Sequence, residues 1–317
     1  MWNIYKIDLH IFFIILHNKY IYIRSIMTEF VKDAVATGPV KDAGPPDFLA
    51  KKYPHERDSR IKFYEEGHRY TVDGLEGYTS VTTWNHHHFP QFNADSIIDK
   101  MEKGKNWQIK EKNQKYWDQE TDKPMTRDKI KASWDANRDA AAKAGTAMHY
   151  DIECYYNEIP SNNSSIEYKY FQKYLEDFER ENPHLKPYRT EWTVFHEEMK
   201  LTGSIDMVYI DTSDPTGNTL AIYDWKRCAE ISHENQFSHA LTPEIKHLPD
   251  TNFWHYSLQL NTYKKILETK YGKTITKLAL VVLHPQNANY QIHDVPIMEK
   301  EMNDLFAARM TELSNKI

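Results

Sequence analysis

LTGSIDMVYIDTSDPTGNTLAIYDWK, residues 201–226, reads as two β-strands and a turn, and it decides the fold. β-Branched and aromatic residues fill 201–211 and 220–227, while Ser213, Asp214, Pro215, Gly217 and Asn218 supply the turn. Side chains two apart share a face of a strand, so Asp224 and Lys226 project together beyond Leu220 and Ile222. Asp206 shares its face with Val208, and antiparallel pairing would set it beside Asp224. Two carboxylates on an otherwise apolar strand face repel each other and are costly to bury without a cation between them. That is the pattern of a hard-metal site. Standing alone, the three residues would read better as a surface ion pair, Asp224 with Lys226, and a strand-end Asp206.

They do not stand alone. In chain order, His149 in AGTAMH, Glu191, Asp206 in GSID, Asp224-Trp225-Lys226, and Gln259 with Tyr263 in QLNTY resemble the motif series of the PD-(D/E)XK nuclease superfamily. The likeness is closest to its RecB-type exonuclease branch, which includes a mitochondrial genome-maintenance exonuclease and phage and large-virus relatives. It covers roughly residues 140–285. Upstream, HRYTVDGLEGYTSVTTW and FNADSIIDKM are similar to the front end of viral members.

The resemblance implies an α/β (α+β) fold: a restriction-endonuclease-like core with a mixed central β-sheet flanked by helices, in the order helix, β, β, β, helix, β, here with a helical N-terminal elaboration. It implies a metal-dependent deoxyribonuclease in which Asp206, Asp224, Lys226 and Glu191 are catalytic. His149, Asp206, Asp224 and the backbone carbonyl of Trp225 would hold one or two Mg²⁺ or Mn²⁺ ions. Gln259 and Tyr263 would hold DNA phosphate or orient the catalytic residues. The implied substrate is DNA, single-stranded or with free ends, cut by an exonuclease in replication, recombination or repair, alongside the proteins of those processes. Two other readings stay open: a non-catalytic DNA-binding protein on a decayed nuclease fold, and an endonuclease on branched DNA or a nuclease for RNA. Replacing Asp224 or Lys226 by alanine is expected to abolish cleavage and leave folding largely intact.

With 317 residues, 40% hydrophobic and 27% charged, the chain can bury a full core in one elaborated domain or two. A net charge of −6 gives no global basic signal for nucleic acid, although an acidic metal site and a local basic groove can coexist under any net charge. Cys154 and Cys228, the two cysteines, provide no disulfide framework and too few ligands for the four-cysteine iron–sulfur cluster that some RecB-type relatives carry. A reducing, intracellular compartment is expected (cytoplasm, nucleus or viral factory), with mitochondrial targeting left open. Frequent Asn, Lys, Ile and Tyr fit an AT-rich, viral genome.

Residues 1–26 are rich in Ile, Phe and Tyr, but the apolar run from Ile11 to Leu16 is too short to cross a membrane. No membrane partner is expected, and a start at Met27 would make this segment an upstream extension. Residues 27–60, with Gly38, Pro39, Gly44, Pro45, Pro46 and Pro54, read as an irregular arm. Residues 61–132 read as a hairpin, from IKFYEEGHRYTV, followed by a helical DNA-groove region in which Asn93 caps a helix carrying Ile97, Ile98 and Met101. The run His86-His87-His88 reads as a solvated loop, since adjacent residues point apart. Lys100, Lys103, Lys105, Lys110, Lys112 and Lys115 interleave with Trp107, Tyr116 and Trp117. Lys105 and Trp107 are the candidates to track phosphate and stack bases, with a solvated helix face as the equal alternative because Glu102 and Glu111 dilute the charge.

Residues 133–317 read as the nuclease core. Gly145, His149 and Glu153 share one stripe of a helix over 135–155, and Gly145 would let that helix approach the sheet. Tyr168, Phe171, Leu175 and Phe178 recur at helical spacing and read as core. Glu191 opens the strand EWTVFHEE, from which Glu197 or Glu198 could equally reach inward. Residues 228–252 read as a mobile insertion beside the site, either a lid over DNA or a surface loop. Gln259 and Tyr263 share a face with Tyr256 and Ile266 on a helix over 253–269, and strands are expected at 277–283 and 291–297 before a helix from Met298. Gly272-Lys273-Thr274 imitates the end of a P-loop, but Leu267 stands where its first glycine belongs.

Overall fold

The computed structural model describes residues 46–64, 67 and 69–315. The extension expected at 1–26 and most of the arm lie outside the described residues. The N-terminal part comprises a short helix α1 (Phe48–Lys52), the hairpin β1 (Ile61–Tyr64) and β2 (Arg69–Val72), a two-residue strand β3 (Thr79–Ser80), helices α2 (Val81–His86) and α3 (Ala94–Glu102), and a ribbon of β4 (Trp117–Asp118) and β5 (Lys123–Pro124). Asn93 caps α3, its side chain accepting from the Ser96 amide, as the sequence predicts. Next come α4 (Arg127–Tyr156), α5 (Ile166–Glu181), β6 (Leu185–His196), β7 (Leu201–Asp211) and β8 (Thr219–Lys226). The chain closes with α6 (Asn252–Lys270), β9 (Thr274–Val282), β10 (Gln291–Asp294) and α7 (Glu299–Ser314). Helix, three strands, helix and strand thus follow in the expected order.

The sheet is mixed. β6 pairs antiparallel along β7 from Leu185 with Asp211 to His196 with Leu201, β9 runs parallel to β8, and β10 lies antiparallel on β9. The other edge of β7 is shared. Met207 to Ile210 pair with β8, whereas Leu201 and Thr202 pair in parallel with β3. Residues 203–206 lie between the two ladders, so the sheet opens there.

Alternation along the strands divides the core in two. Val208, Leu220 and Ile222 pack with Leu260, Ile266, Leu305 and Phe306 of α6 and α7. Met207, Tyr209, Tyr223 and Trp225 pack with Ile152, Phe171, Tyr174 and Phe178 of α4 and α5. Fully burying one such side chain is worth on the order of 1.5–3 kcal/mol, so both helix layers are firmly seated. The stripe expected on α5 is core, as its spacing implies. Among the described residues no helix is long and apolar enough to cross a membrane.

Several expectations need correction. The boundary placed at 132/133 falls inside α4, a single helix of 30 residues that starts where the Thr126 side chain accepts from the Lys129 amide. The alanine-rich run through Ala144 offers nothing to break it. Ile130 of this helix packs with Ile98, Trp107 and Tyr116, so the groove region and the core share a cluster across that boundary. Gly145 is not a close approach, because a Cβ built there meets nothing within 4 Å. The histidine run is no solvated loop: it finishes α2 and the turn after it, with His88 buried and its Nδ1 2.8 Å from Thr242 Oγ1. Strand β10 stops at Asp294, short of the expected Ile297.

Residues 228–252 are irregular but pinned rather than loose. Ile245 and Leu248 are buried, the Leu241 amide donates to the His88 carbonyl at 2.7 Å, and Asn235 donates to the Asp250 carbonyl at 2.9 Å. The described end of the arm is fastened as well. Asp58 accepts from Arg189 at 2.8 Å and from the Trp192 indole at 3.0 Å, both on β6.

Candidate active site

Glu191 sits in mid-strand on β6 rather than at its start, and its φ of +44° lies in the left-handed region. For a residue with a side chain that conformation costs about 1–3 kcal/mol and persists only where the surroundings impose it. Thr190 pairs with Met207 and Trp192 with Ile205, which puts Glu191 opposite Asp206. The pairing of Met207 with Tyr223 puts Asp206 opposite Asp224 at the first position beyond the β7–β8 ladder. Three acids therefore stand in one row across β6, β7 and β8, at the opening of the sheet.

Each carboxylate has a different partner. Ser204 donates to Glu191 Oε2 at 2.8 Å, leaving Oε1 turned toward His149 Nδ1 at 3.9 Å. Asp206 Oδ2 accepts from the Trp225 amide at 3.0 Å and lies 3.5 Å from His149 Nδ1. This side chain occupies the place a neighbouring strand would have filled. In an extended strand a residue's N–H and C=O leave by the same edge, so the Trp225 carbonyl also opens into the gap, while its ring is buried against Phe171 and Tyr174. Asp224 is ion-paired with Lys226, and both side chains are buried.

The electrostatics follow from burial. The Asp206 carboxyl is pushed up to about 8, first by burial and then by the charge of Asp224, against the pull of His149 and Lys226. Burial works to lower His149, but Asp206 and Glu191 outweigh it and hold the imidazole above its ordinary value. For Lys226 burial is likewise outweighed by Asp224 and Asp206, so the ammonium stays charged.

Ligand atoms of His149, Glu191 and Asp206 lie within 4.8 Å of one another. Two converging carboxylates, one of them with its charged form disfavoured by burial and a like charge, with an imidazole beside them, fit a divalent cation. Glu191 stands inside that cluster, and Asp224, expected from the sequence as a ligand, stands next to it, ion-paired with Lys226. Neither rival of Glu191 reaches inward. Glu197 binds Arg57 at 2.8 Å and Glu198 binds Lys270 at 2.5 Å, both away from the row.

Helix α6 roofs the site. Gln259 donates to Thr82 Oγ1 of α2 at 3.2 Å, and Tyr263 lies so close over β7 that a Cβ at Gly203 would stand 2.7 Å from its hydroxyl. Both side chains are buried, Gln259 against α2 and Tyr263 against β7. Lys105 is exposed, but Trp107 is only 8% exposed and packs with Ile98, Tyr116 and Ile130, so its ring is core and presents no stacking face. Sequence reasoning missed Ser204, Gly203 and Thr82. The first two stand inside the quoted GSID neighbourhood and were legible as its small residues, whereas nothing in the sequence pairs Thr82 with Gln259.

Among curated proteins no match is found. Among solved structures, a crystal structure of a proposed exonuclease from Eubacterium rectale aligns at 13% identity over 77% of this chain and 68% of that chain, with a TM-score of 0.26, an overlay too loose to carry an argument. The model of the PD-(D/E)XK nuclease superfamily matches residues 111–317, well over half of the chain and inclusive of His149, Glu191, Asp206, Asp224 and Lys226. On that match, over the segment that builds the row of acids and its lysine, the chain belongs to the PD-(D/E)XK nuclease superfamily.

Proposed function

We propose that this nuclease is a Mg²⁺- or Mn²⁺-dependent deoxyribonuclease, an exonuclease acting on single-stranded or end-containing DNA in replication, recombination or repair. The observation that carries the reading is the row Glu191, Asp206 and Asp224, its two aspartates buried, with His149 on one side and Lys226 on the other. His149, Glu191 and Asp206 would hold the cation, with the Trp225 carbonyl as a further oxygen, and one imidazole among hard ligands favours tolerance of Mn²⁺. A bound divalent cation supplies charge neutralisation at phosphorus and lowers the pKa of water.

The remaining work falls to the chain. The Lys226 ammonium, held by Asp224, stabilises charge that develops on the phosphoryl oxygens as water attacks. Gln259 and Tyr263 keep β7 and α2 in register around that point. Exposed Lys100, Lys103 and Lys105 attract backbone phosphate. On the pinned segment after β8, Phe237 is 76% and Leu241 62% exposed, a surface suited to unpaired bases at a DNA end.

The test is incubation of end-labelled linear single-stranded, linear duplex and closed circular DNA with the protein in Mg²⁺, Mn²⁺ or EDTA. Metal-dependent loss of linear DNA with the circle spared is expected. Cleaved circles would make the protein an endonuclease, and binding without cleavage under either metal would overturn the catalytic reading.

A further inference from the structure

We propose that Tyr256 is a positioning residue for Lys226, holding its ammonium with the face of the aromatic ring. The proposal rests on the nuclease reading of the site. Lys226 is the last residue of β8, beyond the point at which the β7–β8 ladder ends at Tyr223. A lysine carries a compact, strongly hydrated charge on a flexible four-carbon stem, so burial alone does not fix where that charge sits. Asp224 grips the ammonium from the same strand face, which sets one coordinate and lets the stem swing about the carboxylate.

Tyr256 sets the second. The Lys226 Nζ lies 4.5 Å from the centroid of its ring, within the range where a cation is attracted by the negative face of an aromatic. Both residues are less than a tenth exposed, and the attraction is strongest when the cation is withdrawn from water. Tyr256 stands in the first turns of α6, one turn before Gln259 and two before Tyr263, on the stripe that roofs the row of acids. The contacts that seat α6, Gln259 on Thr82 and Tyr263 on Gly203, therefore also place the ring. A ring that merely filled core space would need no cation over its face, and the tyrosine hydroxyl has no part in the hold.

The experiment compares wild type, Tyr256→Phe and Tyr256→Leu, by steady-state cleavage of linear single-stranded DNA in Mn²⁺ and by NMR of the metal-free protein labelled in its lysines, with Lys226→Arg identifying the Lys226 resonance. Tyr256→Phe is expected to keep kcat within about 2-fold. Tyr256→Leu is expected to lose about 5- to 30-fold in kcat with KM little changed. The Lys226 Hε signal is expected upfield of the other lysines in wild type and Tyr256→Phe, through the ring current, and back among them in Tyr256→Leu. Wild-type kcat in Tyr256→Leu, equal losses in both variants, or an unshifted Hε signal in wild type would each overturn the proposal. If wild type cleaves no DNA, the nuclease reading fails, and the Hε shift still decides whether the ring holds the ammonium.

Discussion

Asp206 and Asp224 face each other across the opening in the sheet, yet removing their charges is expected to move stability in opposite directions. Asp206 is held up to about 8 by burial and by Asp224, so in the metal-free protein its charge is a burden that a cation would relieve. Asp206→Asn keeps the shape and an acceptor for the Trp225 amide. It should raise metal-free stability by about 1–2 kcal/mol, remove the rise in Tm on adding Mn²⁺, and cut cleavage by about 10²-fold or more. Asp224→Asn instead strips the partner from a buried ammonium, and breaking such a pair costs about 3–5 kcal/mol. The sequence-based expectation that Asp224 and Lys226 can be replaced with folding intact is revised for that reason. Spacing showed that the two share a face, but not that the face is sealed by α6. Urea denaturation of both variants in EDTA checks the pair of signs; an Asp206→Asn midpoint below wild type would refute the first.

At the scale of elements, the strand–turn–strand of residues 201–226 was legible from its β-branched and aromatic residues and its turn, and the core stripe of α5 from its helical spacing, whereas α6 is buried nearly all round. The continuity of α4 was not legible: the helix expected over 135–155 starts at Arg127, behind the Thr126 cap, and runs through the boundary expected at 132/133. Which element touches which was also hidden. The contact of Tyr263 with Gly203 is a case: the two are 60 positions apart, and only the docked helix shows why β7 carries a glycine there. Gly203→Ala would drive a Cβ to 2.7 Å from a buried ring and is expected to cost about 1–3 kcal/mol, with cleavage reduced as Asp206 is displaced. In a Tyr263→Leu background the same change should cost less, and a double-mutant cycle should give a coupling of about 0.5–3 kcal/mol. Additive effects would mean that the strain is taken up elsewhere.

For the whole molecule, the family match begins at residue 111, but the fold does not. β3 fills the edge of β7 that β8 leaves, and Val81, Trp84 and Phe89 enter the larger core from the N-terminal side. Short segments carry no period long enough to announce such partners, which is why they read as a separate groove region. The junction also carries a part of the pH dependence. His86 is pushed down to about 4 by burial and then by the nearby His255, and His88 to about 4 by burial and then by His87. A histidine whose folded pKa is depressed below the unfolded value of about 6.5 contributes its full stability above pH 6.5. As pH falls from 6.5 toward 4 the unfolded chain takes up the proton and the folded protein does not, so stability is lost across that window and levels off below it. Asp206 acts in the other direction over the same range, because the folded protein is already protonated there, and a comparison of variants cancels its effect. Between pH 7 and pH 5 wild type is therefore expected to lose about 1–2 kcal/mol more than His88→Gln, measured by urea denaturation in EDTA. Glutamine keeps a polar partner for Thr242 without a titrating ring, so parallel curves for the two proteins would show that His88 takes up its proton equally well folded and unfolded.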